Sequence, residues 1–291
     1  MAHRDVTRPL KPRPEINFAI PSSVVSEAPG LREKTRKIGY IGRAAAIFRV
    51  TEVIVYRDDN PDNEYLVYLV LSYMEVPPYM KKALCPRSNL LKYAGLLPPL
   101  KTPHHVWPHV FNTKFREGVV KEARGSYSVI DVGLEKPAIV QQRLQIGSRV
   151  TVKLVRDEGR FYVADLASRD DVDLYWGYVV TRYSSMKSMI EDTRKRYDLV
   201  IGASKKGKLV NELEDELTKR FREISKVLVV FGGPRKDIDE IASSEGFNLS
   251  KYCDYILNFI PRQGTESVRT EEAIYAVMSI LNYLREKATQ Q

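Results

Sequence analysis

In Lys226-Val227-Leu228-Val229-Val230-Phe231-Gly232-Gly233-Pro234 an apolar run meets a glycine-proline breaker, as a β-strand does on entering a loop. Similar runs flank it at Tyr178–Tyr183, Leu199–Ala203 and Tyr255–Ile260. Helical segments separate these strands, near Ser185–Arg196, Asn211–Glu223, Lys236–Ser243 and Thr270–Leu284. In the second, Leu213, Leu217, Phe221 and Ile224 form one stripe. Its acids (Glu212, Glu214, Glu216) come early and its bases (Lys219, Arg220, Arg222) late, which complements a helix dipole. Ile274, Val277, Met278 and Leu281 make the stripe of the last helix. This alternation predicts an α/β fold, a mostly parallel sheet covered by helices.

The N-terminal third shares the rhythm. A strand at Ile16–Ile20 stops at Pro21-Ser22, a basic helix covers Leu31–Arg49, and a second strand, Val53–Tyr56, ends in the turn cluster Arg57–Pro61. Tyr65–Met74 reads as a helix, given its length and acid-rich start. Between about 105 and 167 the helical period vanishes. Short β-type runs replace it at Gly118–Lys121, Tyr127–Val132, Ala138–Val140, Arg149–Val155 and Phe161–Leu166, where Val150, Val152 and Leu154 alternate with Thr151 and Lys153. They predict a small OB-like β-barrel inserted in the α/β domain. Such barrels commonly bind single-stranded nucleic acid, and a module that only packs on a partner domain would read the same. The expected organisation is a flexible basic arm over 1–14, the first part of the α/β domain over 15–103, the barrel over 104–167 and the second part over 168–291.

The 291 residues are 43% hydrophobic and 29% charged, which excludes wholesale disorder. The longest apolar stretch, Tyr65–Tyr73, is too short to cross a bilayer, and the first residues lack the apolar core of a secretory signal. Cys85 and Cys253 exclude a disulfide scaffold and a zinc ribbon, and they fit a reducing cytosol. With 46 Lys+Arg against 37 Asp+Glu, the net charge of +9 points to a polyanion, most commonly nucleic acid. Candidate RNA contacts are Arg32, Lys34, Arg36, Lys37 and Arg43 on the basic helix, then Lys81, Lys82 and Arg87, with Tyr40, Tyr79 and Tyr93 interleaved for stacking. For any single cluster, a solvated charged face is the better explanation.

Open parallel sheets bind ligands outside the carboxyl ends of their strands. One loop there, Gly232-Gly233-Pro234, offers positive φ and close backbone approach, although a tight turn with nothing bound has the same sequence. Another, Pro261–Arg269, leads to a capped helix at Thr270-Glu271-Glu272. The third, Gly202–Leu209, has the G-x-x-x-x-G-K of a phosphate loop. Leu209 replaces the hydroxyl residue that would hold Mg²⁺, and no later strand ends in aspartate, so an NTPase is disfavoured and the lysines are kept as anion contacts. His105 and His109 have i,i+4 spacing, but Pro108 interrupts the helix that would align them, and no metal site is expected.

Phe231-Gly232-Gly233-Pro234, together with Ile256–Pro261, Gln263-Gly264-Thr265 and Arg269–Ala273, resembles the carboxyl-terminal cofactor region of SPOUT-type methyltransferases. The likeness is to the archaeal and eukaryotic branch that carries an OB-like insertion. Ile16–Ser22, the basic helix, Tyr79–Lys82 and Tyr175–Tyr178 extend it from about 15 to 287. The resemblance implies a trefoil-knotted fold, an S-adenosylmethionine pocket built by the knotted loops, and a homodimer. Implied donor contacts are Lys206, where the family often has arginine, then Gly232, Gly233, Asn258, Phe259, Ile260, Gly264 and Thr265. The amino-terminal Asn/Arg motif of ribose-methylating members is missing, so a base is the implied target, with a uridine ring nitrogen in first place. Glu266 is then the candidate base, and Arg262 and Arg269 the candidates for stabilising the anion, unless these residues merely pair within their loop. The expectation is a cytoplasmic S-adenosylmethionine-dependent methyltransferase of ribosomal RNA. A non-catalytic RNA-binding assembly factor on the same fold is the alternative.

Overall fold

The computed structural model describes residues 8–290. In chain order the principal elements are β1 (Glu15–Pro21), α1 (Leu31–Ile47), β2 (Glu52–Tyr56), α2 (Pro61–Glu75), α3 (Lys81–Leu84), β3 (Phe115–Arg124), β4 (Tyr127–Asp131), β5 (Ala138–Val140), β6 (Arg149–Asp157) and β7 (Tyr162–Ala167). Then follow β8 (Val179–Tyr183), α4 (Met186–Thr193), β9 (Leu199–Leu209), α5 (Glu214–Glu223), β10 (Lys226–Phe231), α6 (Ile238–Ser244), β11 (Tyr255–Asn258) and α7 (Thr270–Gln290). They divide into two compact units. The larger contains Pro12–Ser72, Asn89–Pro99 and the chain from Tyr178 onward; the smaller contains Tyr73–Ser88, Leu100–Gly177 and residues 8–11.

The larger unit is built on a six-stranded sheet in the order β11-β9-β10-β1-β2-β8, with every adjacent pair parallel. β10 and β1 lie at its centre, and Val227–Phe231 and Ile16–Ile20 are buried throughout, as strands covered on both faces must be. Helices dock by apolar faces, and in α7 that face is the stripe that periodicity predicts. Ile38, Ile41 and Ala45 of α1 are buried, as are Ile274, Val277, Met278 and Leu281 of α7. Side chains cap the helices whose starts matter most here: the Ser185 hydroxyl accepts the Ser188 amide at 3.0 Å, and Asp237 opens a capping box on α6. The predicted helix over Asn211–Glu223 begins later than expected. Leu213 closes a 3-10 turn (Val210–Leu213) and Ile224 lies beyond α5, so Leu217 and Phe221 carry the buried stripe.

In the smaller unit β3-β4-β5-β7-β6 close into a barrel, antiparallel except for β5 against β7. Val120, Ile130, Val132, Val140 and Val152 fill it. Beside this apolar core runs a buried seam of charge. Glu75 takes two bonds from the Arg149 guanidinium (2.6 and 3.1 Å) and one from Arg169 (2.8 Å). Glu117 takes Arg149 Nε (2.6 Å), the Thr151 hydroxyl (2.8 Å) and the Trp176 indole N–H (2.6 Å). Burial alone would raise the Glu75 carboxyl. The His104 hydrogen bond and the charges of Arg149, His104 and Arg169 outweigh it and hold the group well below the usual carboxylate range.

Two expectations change here. Of the basic arm, residues 1–7 lie outside the described residues. Residues 9–11 are pinned, because the Tyr175 amide donates to Pro9 O and the Lys11 amide to Asp173 O, both at 2.8 Å. Tyr79 is no free stacking ring either: its hydroxyl donates to Glu117 O at 2.7 Å, and its ring fills the space a Cβ on Gly133 would need. No described helix is long and apolar enough to cross a membrane.

Candidate functional site

β9 pairs with β10 only as far as Ala203, opposite Phe231, where β10 ends. β9 continues six residues further, and its tail, Lys208–Leu209, pairs with Leu257–Asn258 of β11 past a register shift. Ser204–Lys206 therefore stand above the end of β10 with no strand beside them on that side. The space is a cavity of about 520 Å³, within the range of small-molecule sites. Its walls are Ala203–Lys206, the β10–α6 loop (Gly232–Asp237), Leu257–Ile260, and Thr270, Ala273 and Val277 of α7.

The glycine-proline loop works differently from the expectation. Neither Gly232 nor Gly233 adopts a positive φ. Glycine serves close approach instead: a Cβ on Gly233 would lie 2.3 Å from the Ser23 side-chain Oγ, and one on Gly232 would lie 3.0 Å from both Ile238 N and Lys236 O. The loop folds back on itself through Gly233 N donating to Lys236 O (2.9 Å), and the Thr270 hydroxyl holds Gly232 O at 3.1 Å. Asp237 ties two walls together, since the Ser204 hydroxyl donates to Asp237 Oδ2 at 2.6 Å while Oδ1 accepts Ile238 N.

The structure agrees that the G-x-x-x-x-G-K match is no phosphate loop. Gly202, Gly207 and Lys208 all belong to one continuous strand, β9, so no loop of backbone amides exists to cradle a phosphate. Gly207 is there because Ile256 O and Leu257 N would lie 2.5 and 2.6 Å from its Cβ. Lys206 still lines the cavity, with Nζ 3.6 Å from Glu240 Oε1. The Asp237 amide and the nearby lysines lower the Glu240 carboxyl.

Of the predicted donor contacts, Lys206, Gly232, Gly233, Asn258, Phe259 and Ile260 come together on this cavity; Gly264 and Thr265 are not on its walls. The Asn258 side chain is occupied within the protein, its amide donating to Lys205 O (3.0 Å) and its oxygen accepting Ile260 N (2.9 Å). Glu266 lines the cavity, whereas Arg262 lines a neighbouring one of about 500 Å³ with Tyr283, Ile280 and Leu284, and Arg269 lines neither. Sequence reading names none of Ser204, Asp237, Glu240, Gln263 and Thr270 as a donor contact; Gln263 and Thr270 lie in the motifs that carry the resemblance, and the Asp237-x-x-Glu240 capping box leaves a local signal.

The predicted RNA contacts are divided between the units and are not equally free. Arg32 is exposed, and Arg36 reaches Glu33 at 3.5 Å. Lys34 donates to Asn63 Oδ1 (2.8 Å) and Arg43 to Pro99 O (2.9 Å), while Lys37 is paired with Glu271 at 3.1 Å and largely buried. In the smaller unit Lys81 sits 4.0 Å over the Tyr73 ring, and Lys82 and Arg87 are exposed.

Fold and cavity define a class: an α/β protein with a small-molecule site at the carboxyl edge of a parallel sheet and an OB-like barrel joined to it. Residues 15–281 match the family model described as "Putative RNA methyltransferase", and the chain belongs to that RNA methyltransferase family. The Drosophila melanogaster protein named 28S rRNA (uridine-N(3))-methyltransferase is 31% identical over 96% of this chain, which spans 64% of that relative's length. The Homo sapiens protein of the same name is 31% identical over 91% of this chain and 77% of its own. Among solved structures, the SpoU methyltransferase AviRb from Streptomyces viridochromogenes is similar over 99% of this chain and 65% of that one, at 9% identity and a TM-score of 0.40.

Proposed function

We propose that this protein is a SPOUT-type, S-adenosylmethionine-dependent methyltransferase that modifies a uridine ring nitrogen of ribosomal RNA. The observation that carries the reading is the 520 Å³ cavity above β10, inside the span that matches the family. The relatives' names support the uridine and the ribosomal RNA.

The cavity's chemistry fits the cofactor. Phe231, Leu257 and Phe259 offer apolar surface for a purine, Asp237 and Glu240 offer carboxylates for hydroxyl and ammonium groups, and Lys206 offers a cation for a carboxylate. When bound, the cofactor supplies a methyl group already activated by its sulfonium. The chain's residues must align the acceptor nitrogen and remove its proton. Glu266, on the cavity wall, is proposed as the base. Arg262 and Arg269, carried by the same loop but off the donor walls, are proposed to stabilise charge developing on the acceptor side.

The reading includes a trefoil knot around this cavity and a homodimer that covers the neighbouring apolar cavity, where the Tyr283 side chain is 59% exposed. It also includes a cytoplasmic location, which the two free cysteines suit.

Calorimetry with S-adenosylmethionine, and with ATP and Mg²⁺ as a control, tests the proposal. Binding of the donor alone is expected, and Gly232→Val should abolish it by pushing the loop into the cavity. Glu266→Gln should bind the donor normally but transfer methyl groups to RNA at least 100-fold more slowly. A folded protein, dimeric by sedimentation, that ignores the donor would instead be an RNA-binding factor without enzymatic activity.

A further inference from the structure

The segment Lys101–Lys114 of the smaller unit contains two lysines, three histidines and a tryptophan, and no carboxylate. Its ends are fixed from beneath. His104 is fully buried, with Nδ1 3.2 Å from the Thr102 hydroxyl and Nε2 3.1 Å from Glu75 O; His105 Nε2 lies 2.7 Å from the same carbonyl. Arg116, only 2% exposed, donates to Val106 O and, through Nε and Nη2, to Val132 O at 3.1 and 3.0 Å. On the far side Phe111 packs against Val172, Leu174 and Trp176. Two bonds stiffen the middle: Val110 N donates to Trp107 O (3.0 Å) and Thr113 N to Pro108 O (3.1 Å).

This anchored loop presents apolar surface outward. Trp107 is 52% exposed and Val110 53%, with exposed His109 between them. An indole carries the largest apolar face available to a protein, and holding it half in water forgoes burial that nothing within the unit recovers. On a rigid loop, covering it costs little side-chain entropy, which is the condition for a binding hot spot. The surrounding charge selects the partner. Lys101, His109 and Lys114 have no carboxylate partner among the described residues, a pattern that suits a polyanion with flat rings and not an apolar protein surface.

We propose that Trp107 is a stacking platform for an unpaired base of the RNA, with Lys101 and Lys114 of the same segment meeting its phosphates. The proposal rests on the RNA-modifying reading. A fluorescein-labelled 12-residue oligouridylate is the probe, followed by anisotropy and by intrinsic emission. Only two tryptophans contribute emission, and Trp176 is buried. The oligomer should quench wild-type emission, and this quenching should vanish in Trp107→Phe. Trp107→Ala should weaken binding about tenfold and Trp107→Phe about threefold. Donor affinity by calorimetry should be unchanged in both, which also certifies folding. Equal RNA affinity of Trp107→Ala and wild type would overturn the proposal while leaving the enzyme reading intact. So would a changed sedimentation mass with RNA affinity unchanged, since the indole would then cover protein. Wild type that binds the donor but no single-stranded RNA would overturn this proposal together with the substrate half of the proposed function.

Discussion

The Ser204 hydroxyl joins two walls of the cavity proposed for the donor through a 2.6 Å bond to Asp237, and the Lys206 amide donates to the hydroxyl oxygen at 3.2 Å. Deleting it removes a bond to a charged acceptor, a loss of about 1.5–3 kcal/mol where the group is buried. Ser204→Ala is therefore expected to raise the donor's KM about tenfold with kcat nearly constant and RNA affinity unchanged. An unaltered donor affinity by calorimetry would separate the hydroxyl from the site. At this scale the sequence is only partly legible. Gly232 and Gly233 mark a close approach, but not which atoms approach; their neighbours turn out to be Lys236, Ile238 and Ser23. The Ser204–Asp237 contact joins positions 33 apart and depends on how β9 and β10 are registered, which no local pattern encodes.

Among the elements, β9 shows how tertiary pairing overrides composition. Ser204-Lys205-Lys206-Gly207-Lys208 has the residues of a loop, yet it lies within an eleven-residue strand because β11 supplies a partner for its tail. By contrast the barrel strands and the central strands β1 and β10 were legible, since alternation or continuous apolar runs mark them directly. The β9–β11 approach has a sharp consequence. In Gly207→Ala the new methyl would sit 2.5–2.6 Å from three backbone atoms of Ile256 and Leu257, none of which can turn aside. We expect a loss of about 2 kcal/mol in urea denaturation. Donor binding should weaken as well, because β11 carries Leu257–Ile260 into the cavity wall. Gly264→Ala is the matched control: nothing lies within 4 Å of that Cβ, so neither stability nor donor affinity should change. Equal behaviour of the two variants would mean that β9 and β11 do not meet as described.

At the scale of the whole molecule the two units are held by different physics, and acid should tell them apart. The larger unit rests on a sheet of apolar strands, the smaller on a barrel core plus the Glu75–Glu117–Arg149 seam. Glu75 has a lower carboxyl pKa folded than its ordinary 4.5, and burial, followed by the neighbouring His104, pushes His105 from 6.5 to about 3. For both groups the unfolded chain binds the proton more readily, so stability falls as pH falls. The His105 contribution is lost between about 6.5 and 3, and the Glu75 contribution below about 4.5. Glu75→Gln leaves Arg149 and Arg169 without their shared carboxylate, which should cost about 3 kcal/mol at pH 7. The difference from wild type should narrow as the pH drops below 4.5, because unfolded wild type then takes up a proton at Glu75 that the folded chain does not, whereas the variant's amide binds none in either state. Urea denaturation at pH 7, 5 and 3 checks both the size and the trend, and a constant difference across that range would show that the carboxylate's charge is not what stabilises the seam. Calorimetry at pH 7 should meanwhile find donor affinity preserved in Glu75→Gln, since every residue on the cavity proposed for the donor belongs to the other unit.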